Sequence, residues 1–166
     1  MKTVFQATFS KDSFGNIAKK IELYGKQLEQ GVNIGVEKAT KQLYELIIKK
    51  CEENNITIHK DEIKWKYYYD DKIGKVWTND IVIIFNEFGT GINGIQDEWA
   101  NTFGYQVNMS GKGEKGWYFK NEDHNYDGIT HGILSKHIFY ESLIEIRETL
   151  PKTIGIEVSK TVGKMY

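Results

Sequence analysis

The amino-acid sequence predicts an α+β fold, in which a long N-terminal helical region packs on an antiparallel β-sheet beside a C-terminal helix. Apolar residues recur every three or four positions from Phe14 to Lys50, the spacing of one helical face. Between Ile63 and Trp77, short segments alternate apolar with polar residues and are separated by turn-forming residues. A second helical spacing follows Ser135, a residue type that favours helix N-caps.

Length and composition indicate a single domain over residues 1–166. The hydrophobic share of 40% and the charged share of 27% are ordinary for a soluble protein with a buried core. No apolar run is long enough to span a membrane, and residues 1–5 lack a signal-peptide pattern, so we expect no membrane partner and a cytoplasmic location. The single cysteine, Cys51, ends a helical pattern and is expected to be a buried or half-buried, inert thiol.

The N-terminal part is predicted to begin with a strand at Thr3 to Phe9, where apolar and polar residues alternate. An uninterrupted helix from Phe14 to Lys50 would be ~55 Å long, which is long for a domain of this size. Gly31 and Gly35 interrupt the helical pattern. Two alternatives follow: a kink or break near Gly31, or one long helix lying across the sheet.

The middle of the chain is predicted to form a meander of short antiparallel strands, because no helix there is long enough to connect parallel strands. The first three predicted strands are Ile56–Ile58, Ile63–Tyr69 and Lys75–Trp77. The apolar run that begins at Ile81 suits a further strand, which ends at two glycines, Gly89 and Gly91.

The second half of the chain is predicted to contain an exposed, flexible loop at 92–115, a strand at Gly116–Phe119 and a polar loop at Lys120–Thr130. A helix capped by Ser135 is expected to end before Pro151, because proline disfavours helical geometry at the residue before it. The tail beyond Pro151 fits a second helix or a strand, and we favour the helix.

The segment from Gly89 to Gly94 matches G-x-G-x-x-G, which makes a nucleotide-binding enzyme one alternative. That fold requires the third glycine to open a helix that leads to a parallel strand. The residues after Gly94 show only a short, poorly periodic pattern. A turn that needs glycine geometry is the simpler interpretation, so no cofactor is predicted.

Histidines and acidic residues crowd the segment from Glu122 to His137, in which six residues lie between His124 and His131 and five between His131 and His137. Spacings of this kind match no compact pair of metal ligands on a helix, so no metal site is predicted. Glu87 is the best single candidate for an acid or base. A lone glutamate more often fixes a loop or an interface, and no catalytic residue is predicted.

Charge and aromatic content raise a second alternative, a small nucleic-acid-binding module. Trp65 and its neighbours through Tyr69 interleave with Lys64 and Lys66, as in a stacking platform for single strands. The net charge of −1 and the single arginine, Arg147, argue against dedicated nucleic-acid recognition. A sheet core with a protein-binding face explains the same aromatics.

The ordered motifs of the chain resemble the tail-completion or head–tail joining (neck) family of long-tailed bacteriophages, of the HK-ninety-seven gene-product-ten-like type. A long amphipathic helical region is followed by three short motifs: Asn86-Glu87-Phe88-Gly89-Thr90-Gly91, then Gly116-Trp117-Tyr118-Phe119, then Thr130-His131-Gly132 leading into Ile138-Phe139-Tyr140. The resemblance covers roughly residues 14–150. The chain departs from the family in lacking prolines before the C-terminal helix.

The resemblance implies a structural protein rather than an enzyme, with no cofactor. It implies a ring homo-oligomer, a hexamer being one size considered, that docks to tail-tube or tail-terminator proteins and to the connector. The particle would be a virion or a phage-tail-like assembly built in the bacterial cytoplasm. The residues implied as a structural turn and contact points are Glu87, Phe88, Gly89, Thr90, Gly91, Trp117, Gly132 and Phe139.

Overall fold

The computed structural model describes residues 11–58, 61–107, 116–120 and 127–163. The strand predicted at Thr3 to Phe9 lies outside these residues. In chain order the elements are helix α1 (Lys11–Glu53), strands β1 (Ile63–Tyr68) and β2 (Ile73–Thr78), helix α2 (Ile81–Phe88), a 3₁₀ turn (Gly91–Asn93), helix α3 (Glu98–Thr102), strands β3 (Trp117–Lys120) and β4 (Asp127–Thr130), and helix α4 (Ile138–Gly163). The predicted α+β class is confirmed.

Helix α1 is one helix of 43 residues, about 65 Å long at the usual rise per residue. The break near Gly31 is therefore wrong, and the alternative of one long helix is confirmed. The two glycines serve packing: a Cβ at Gly31 would lie 2.6 Å from Cα of Val158, and one at Gly35 would lie 2.8 Å from Cα of Ile154. Only glycine lets the backbones of α1 and α4 approach this closely.

Helix α4 runs antiparallel to α1 and continues through Pro151. Lys50 of α1 forms an ion pair with Glu141 at 3.4 Å near the start of α4, whereas Gly31 lies against Val158 near its end. The predicted helix end before Pro151 is wrong, and the helical tail is part of the same helix. Proline removes one backbone hydrogen bond, and the packing of both halves of α4 along α1 offsets that loss.

The two sheets are separate antiparallel hairpins rather than one meander. The predicted strands around Ile63 and Val76 are confirmed as β1 and β2, which pair Ile63 with Thr78. Residues 56–58 form no strand, and the predicted polar loop at 120–130 contains β4, which pairs with β3. The β1–β2 hairpin lies directly on α1, since a Cβ at Gly74 would come within 1.7 Å of the Thr40 hydroxyl oxygen.

Residues 81–88, predicted as a strand, form α2. Asp80 caps the helix by accepting a hydrogen bond from the backbone N of Ile83 at 2.9 Å, and the backbone N of Gly89 closes its end by donating to the carbonyl of Phe85 at 2.8 Å. A short, wholly apolar run carries no period that separates a strand from a buried helix turn. The cap decides for the helix.

The loop predicted at residues 92–115 contains regular structure in its first part. Asp97 caps α3 by accepting from the backbone N of Ala100 at 2.8 Å. The backbone N of Tyr105 then donates to the carbonyl of Ala100 at 2.9 Å. Residues 108–115 lie outside the described part of the chain.

The hydrophobic core lies where α1, β1, α2 and α4 meet. Its buried members are Ile47, Cys51, Ile56, Ile63, Ile83 and Ile138. Each of these four elements contributes at least one side chain, so the β1–β2 hairpin and α2 are held against the two long helices, α1 and α4.

Cys51 is fully buried in this core, as predicted, and burial raises the pKa of its thiol to about 11. Because the thiolate is the reactive form, we expect the folded protein to resist alkylation by iodoacetamide at pH 7 to 9. Labelling followed by mass spectrometry should show modification only after unfolding or above about pH 10. The pKa of this thiol is about 11 in the folded protein and 9.0 by its ordinary value. The contribution of the thiol to stability is therefore present below about pH 9 and is lost as the pH rises toward about 11. Rapid labelling of native protein at neutral pH would contradict the buried position.

Candidate functional site

The last turn of α2 carries Glu87, a buried residue that is only 4% exposed. One carboxylate oxygen, Oε1, accepts hydrogen bonds from the indole Nε1 of Trp99 at 2.8 Å and from the backbone N of Tyr140 at 2.9 Å. The other, Oε2, accepts from the backbone N of Phe139 at 2.7 Å. Both oxygens are engaged by internal donors, as a buried acidic group requires.

These bonds place Glu87 at the N-terminus of α4. The first N–H groups of a helix have no partner within the helix and carry partial positive charge, so a carboxylate there is stabilising. Ser135, predicted as the cap, instead donates through its hydroxyl to the carbonyl oxygen of Glu87 at 2.6 Å. The cap of α4 is therefore supplied by α2, and the interpretation of Glu87 as a group that fixes the structure accounts for all of these contacts.

The residues after α2 run alongside residues 131–136. The backbone N of Thr90 donates to the carbonyl of Ile133 at 2.8 Å, and the hydroxyl Oγ1 of Thr90 accepts from the backbone N of Ile133 at 2.9 Å. The backbone N of Ile92 donates to the carbonyl of His131 at 3.1 Å. The segment 86–92 is thus held along its length by the segment that precedes α4.

Glycines make this approach possible. Gly132 has φ of 123°, and a Cβ there would lie 1.8 Å from the carbonyl oxygen of Thr90. Gly89 has φ of 73°, and a Cβ there would lie 2.7 Å from Cα of Gly94 and 2.8 Å from the carbonyl oxygen of Ile133. At both positions the backbone conformation and the lack of space require glycine.

Aromatic side chains cover the site. Phe88 stacks on Tyr105 with ring centroids 4.6 Å apart and an interplanar angle of 22°. Trp99 contacts Phe103 at 4.7 Å and Tyr140 at 5.2 Å between ring centroids. Through its indole N–H, Trp99 also connects this cluster to the buried carboxylate.

Seven of the eight residues predicted as turn or contact points lie in one place: Glu87, Phe88, Gly89, Thr90, Gly91, Gly132 and Phe139. The eighth, Trp117, is in β3, where it pairs with Thr130, two positions before Gly132. The sequence did not single out Trp99, Tyr105 or Ile133 as site residues. For Trp99, one local signal was present in the sequence: Asp97 is a helix-capping residue type, and it begins the short helix that carries Trp99.

The geometry required for dinucleotide binding is not formed at Gly89 to Gly94. The segment follows a helix rather than a strand, and Gly94 opens no helix. Both sheets of the described residues are antiparallel. The space around Gly89 is already filled by the backbone of Gly94 and Ile133, so the turn interpretation accounts for these glycines.

The predicted crowding of histidines and acids falls largely outside the described residues, including His124, Asp123 and Glu122. Within the described ranges, no group of three or more histidine, cysteine or acidic side chains is placed to hold a metal ion. Within the same ranges, no helix is both long and apolar enough to cross a lipid bilayer.

Large apolar side chains are exposed around the site. They belong to segments fixed by the hydrogen bonds and ring contacts described above, and comprise Ile92 (48%), Ile95 (42%), Phe103 (62%), Leu134 (65%) and Tyr140 (40%). Exposed aromatic and aliphatic side chains on a rigid backbone are typical of protein–protein contact surfaces. We call these five residues the apolar rim.

Comparison with protein-family models, with curated proteins and with solved structures finds no match to this chain.

Proposed function

We propose that this protein is a structural subunit of a tailed bacteriophage or a phage-tail-like particle, which completes the tail at the head–tail junction. It would assemble as a ring in the bacterial cytoplasm and dock to tail-tube or tail-terminator proteins on one side and to the connector on the other. The proposal assigns no catalytic step and no cofactor to the protein.

The observation that carries this proposal is the convergence of motifs that are far apart in the sequence. The Glu-Phe-Gly-Thr-Gly segment, the Thr-x-Gly segment and the Ile-Phe-Tyr start of α4 are the segments on which the phage resemblance rests. Glu87 bonds to the backbone of Phe139 and Tyr140, and Thr90 bonds to Ile133. A shared structural unit explains why such motifs would occur together in one chain.

The apolar rim supports a docking role for this unit. Phe103 and Leu134 are each more than 60% exposed, although the segments that hold them are bonded to the rest of the site. Interfaces obtain most of their binding free energy from a few such anchors, provided that the anchors are held rigidly before contact. The glycine-dependent backbone of the site supplies that rigidity.

A ring also needs a second, different surface, because its contacts are head to tail. The N-terminal part of α1 provides a candidate. Ile21 and Leu23 there are 58% and 49% exposed. Gly31 of α1 lies against Val158, near the C-terminal end of α4, whereas the rim lies at the start of α4. Within the described residues, the two exposed surfaces are therefore at opposite ends of the helix pair.

The test is assembly of the full chain, alone and mixed with the tail-tube and connector proteins that the proposal expects to be encoded beside it. Native mass spectrometry and negative-stain electron microscopy should show a closed ring, either alone or on the partner. The double variant Phe103→Asp with Leu134→Asp should remain folded by circular dichroism and lose assembly. Ile156→Asp on the outer face of α4, where Ile156 is 44% exposed, is the matched control and should assemble normally. A chain that stays monomeric with every one of these proteins would refute the proposal.

A further inference from the structure

The outward face of the β1–β2 hairpin has a composition that the site around Glu87 does not explain. The strand register places Lys64 opposite Trp77 and Lys66 opposite Lys75. The ammonium groups of Lys66 and Lys75 lie 4.8 Å and 5.3 Å from the ring centroid of Tyr68. The other face of the hairpin packs on α1, so this lysine and aromatic face is turned away from the core.

The lysines of this face lack the carboxylate partners that other lysines have. In the described part of the chain, none of Lys64, Lys66 and Lys75 is within ion-pair distance of an acidic side chain. Like charges directly opposite each other in a hairpin are destabilising. The shared Tyr68 ring offsets part of that repulsion, and an anion carrying several charges would offset the rest.

A cleft of about 240 Å³ adjoins this face at Trp77. It is lined by Asp61, Glu62, Lys64, Trp77, Asn79 and Asp80. Trp77 is 36% exposed, and its indole offers a surface on which a base can stack. Among the lining side chains, the oxygens of Asp61 and Asn79 can accept hydrogen bonds from the exocyclic amino group of a base.

We propose that this hairpin face binds single-stranded nucleic acid, with phosphates on Lys66 and Lys75 and one base stacked on Trp77 in the cleft. A base within a duplex is not accessible for that stacking, so single strands are preferred. Cytosine is preferred over thymine, because the cleft oxygens accept from its amino group and would oppose the O4 acceptor of thymine. The inference does not depend on the proposed tail function.

Acidic residues limit the length of the contact. Asp70 and Asp71 lie at the hairpin turn, beyond Tyr68, and the cleft acids lie at the opposite end. The backbone of the ligand can therefore follow the face for only a few nucleotides, and we expect micromolar affinity. The net charge of −1 argues against dedicated nucleic-acid recognition by the chain as a whole, whereas Lys64, Lys66 and Lys75 place positive charge on the middle of this face, between its acidic ends.

The test is fluorescence anisotropy of labelled oligo(dC) and oligo(dT) with the full chain, between about 50 and 200 mM salt. The double variant Lys66→Ala with Lys75→Ala should weaken binding at least about tenfold at low salt and reduce the salt slope by about 1.4. Lys19→Ala with Lys20→Ala removes the same charge from exposed positions on α1 and should leave affinity unchanged. Trp77→Ala should weaken oligo(dC) binding about tenfold and abolish the preference over oligo(dT).

The three variants change outward-facing side chains, and circular dichroism with thermal unfolding checks that each is folded. No binding at low salt would overturn the inference. Equal losses of affinity in the two lysine double variants would also overturn it. The same holds if both oligonucleotides bind with equal affinity and Trp77→Ala has no effect. Either result would show only a general attraction of the protein for a polyanion. Because the ring assay uses different variants and a different readout, its outcome is independent of this one.

Discussion

Replacing Glu87 with glutamine is expected to lower the free energy of unfolding by about 3 kcal/mol, although the side chain keeps its size. Glutamine retains one acceptor oxygen, and its NH₂ group would face a backbone N–H of Phe139 or Tyr140. Two donors would then oppose each other in a buried site, and the start of α4 would lose its favourable charge interaction. Urea denaturation followed by circular dichroism measures the change, which corresponds to a decrease in the melting temperature of about 6 to 12 °C.

Glu141→Gln is the matched control for this variant. Glu141 lies in the first turn of α4, the same turn whose backbone N–H groups bond to Glu87. Its side chain is 60% exposed and forms an ion pair with Lys50. Exposed ion pairs contribute little, so this variant should change stability by less than about 1 kcal/mol. Equal stability of the two variants would show that the three internal bonds of Glu87 are not what anchors α4.

The features that could be predicted from the sequence are those encoded by neighbouring residues. The β1–β2 hairpin followed from alternation around Trp65 and the turn residues after Tyr69, because the side chains on each face of a strand are two positions apart. The helical character of α1 followed from its three-and-four spacing for the same reason. The continuity of α1 could not be predicted in this way. Gly31 locally weakens the helix, and its close contact with Val158 of α4 offsets that loss.

The errors at α2 and α4 have different origins. The run from Ile81 to Phe85 suits a strand by residue preference, and the Asp80 cap, a local contact, together with burial of Ile83 makes it a helix. Pro151 predicts a helix end, yet α4 is held on α1 before and after it. At α4, tertiary contacts exceed a local preference of about 3 kcal/mol against proline.

The site was predictable as a set of residues but not as an arrangement. Glycine pairs and an acidic residue beside an aromatic one marked Glu87 to Gly91 as unusual. The donors that bind Glu87 are 52 and 53 residues away in the sequence, and no local pattern links Trp99 to them. Bonds across such separations are fixed by the packing of α2 against α4, which local sequence patterns do not specify.

Gly132→Ala is expected to destabilise the protein by more than about 4 kcal/mol, or to prevent folding. The added Cβ would lie 1.8 Å from the carbonyl oxygen of Thr90, and φ at this residue is 123°. Because the obstructing atom belongs to the backbone, no side-chain rotation relieves the contact. The two segments must separate, which breaks the paired bonds between Thr90 and Ile133. Urea denaturation measures the loss, and limited proteolysis of freshly expressed protein detects it if the variant cannot be purified.

Gly104→Ala is a control that adds a side chain at a positive φ without a steric clash. Gly104 also has a positive φ, 65°, but a Cβ there would have no heavy atom within 4 Å. Its substitution should therefore cost only the conformational strain of about 1 to 2 kcal/mol. The difference between the two variants reports the close approach of residues 90 and 132 together with the larger strain of an alanine at φ of 123°. The position of the rim residues Ile92 and Leu134 depends on that close approach. If both alanines cost the same, the two segments are not packed as tightly as described, and the rigid presentation of the rim would lose its structural basis.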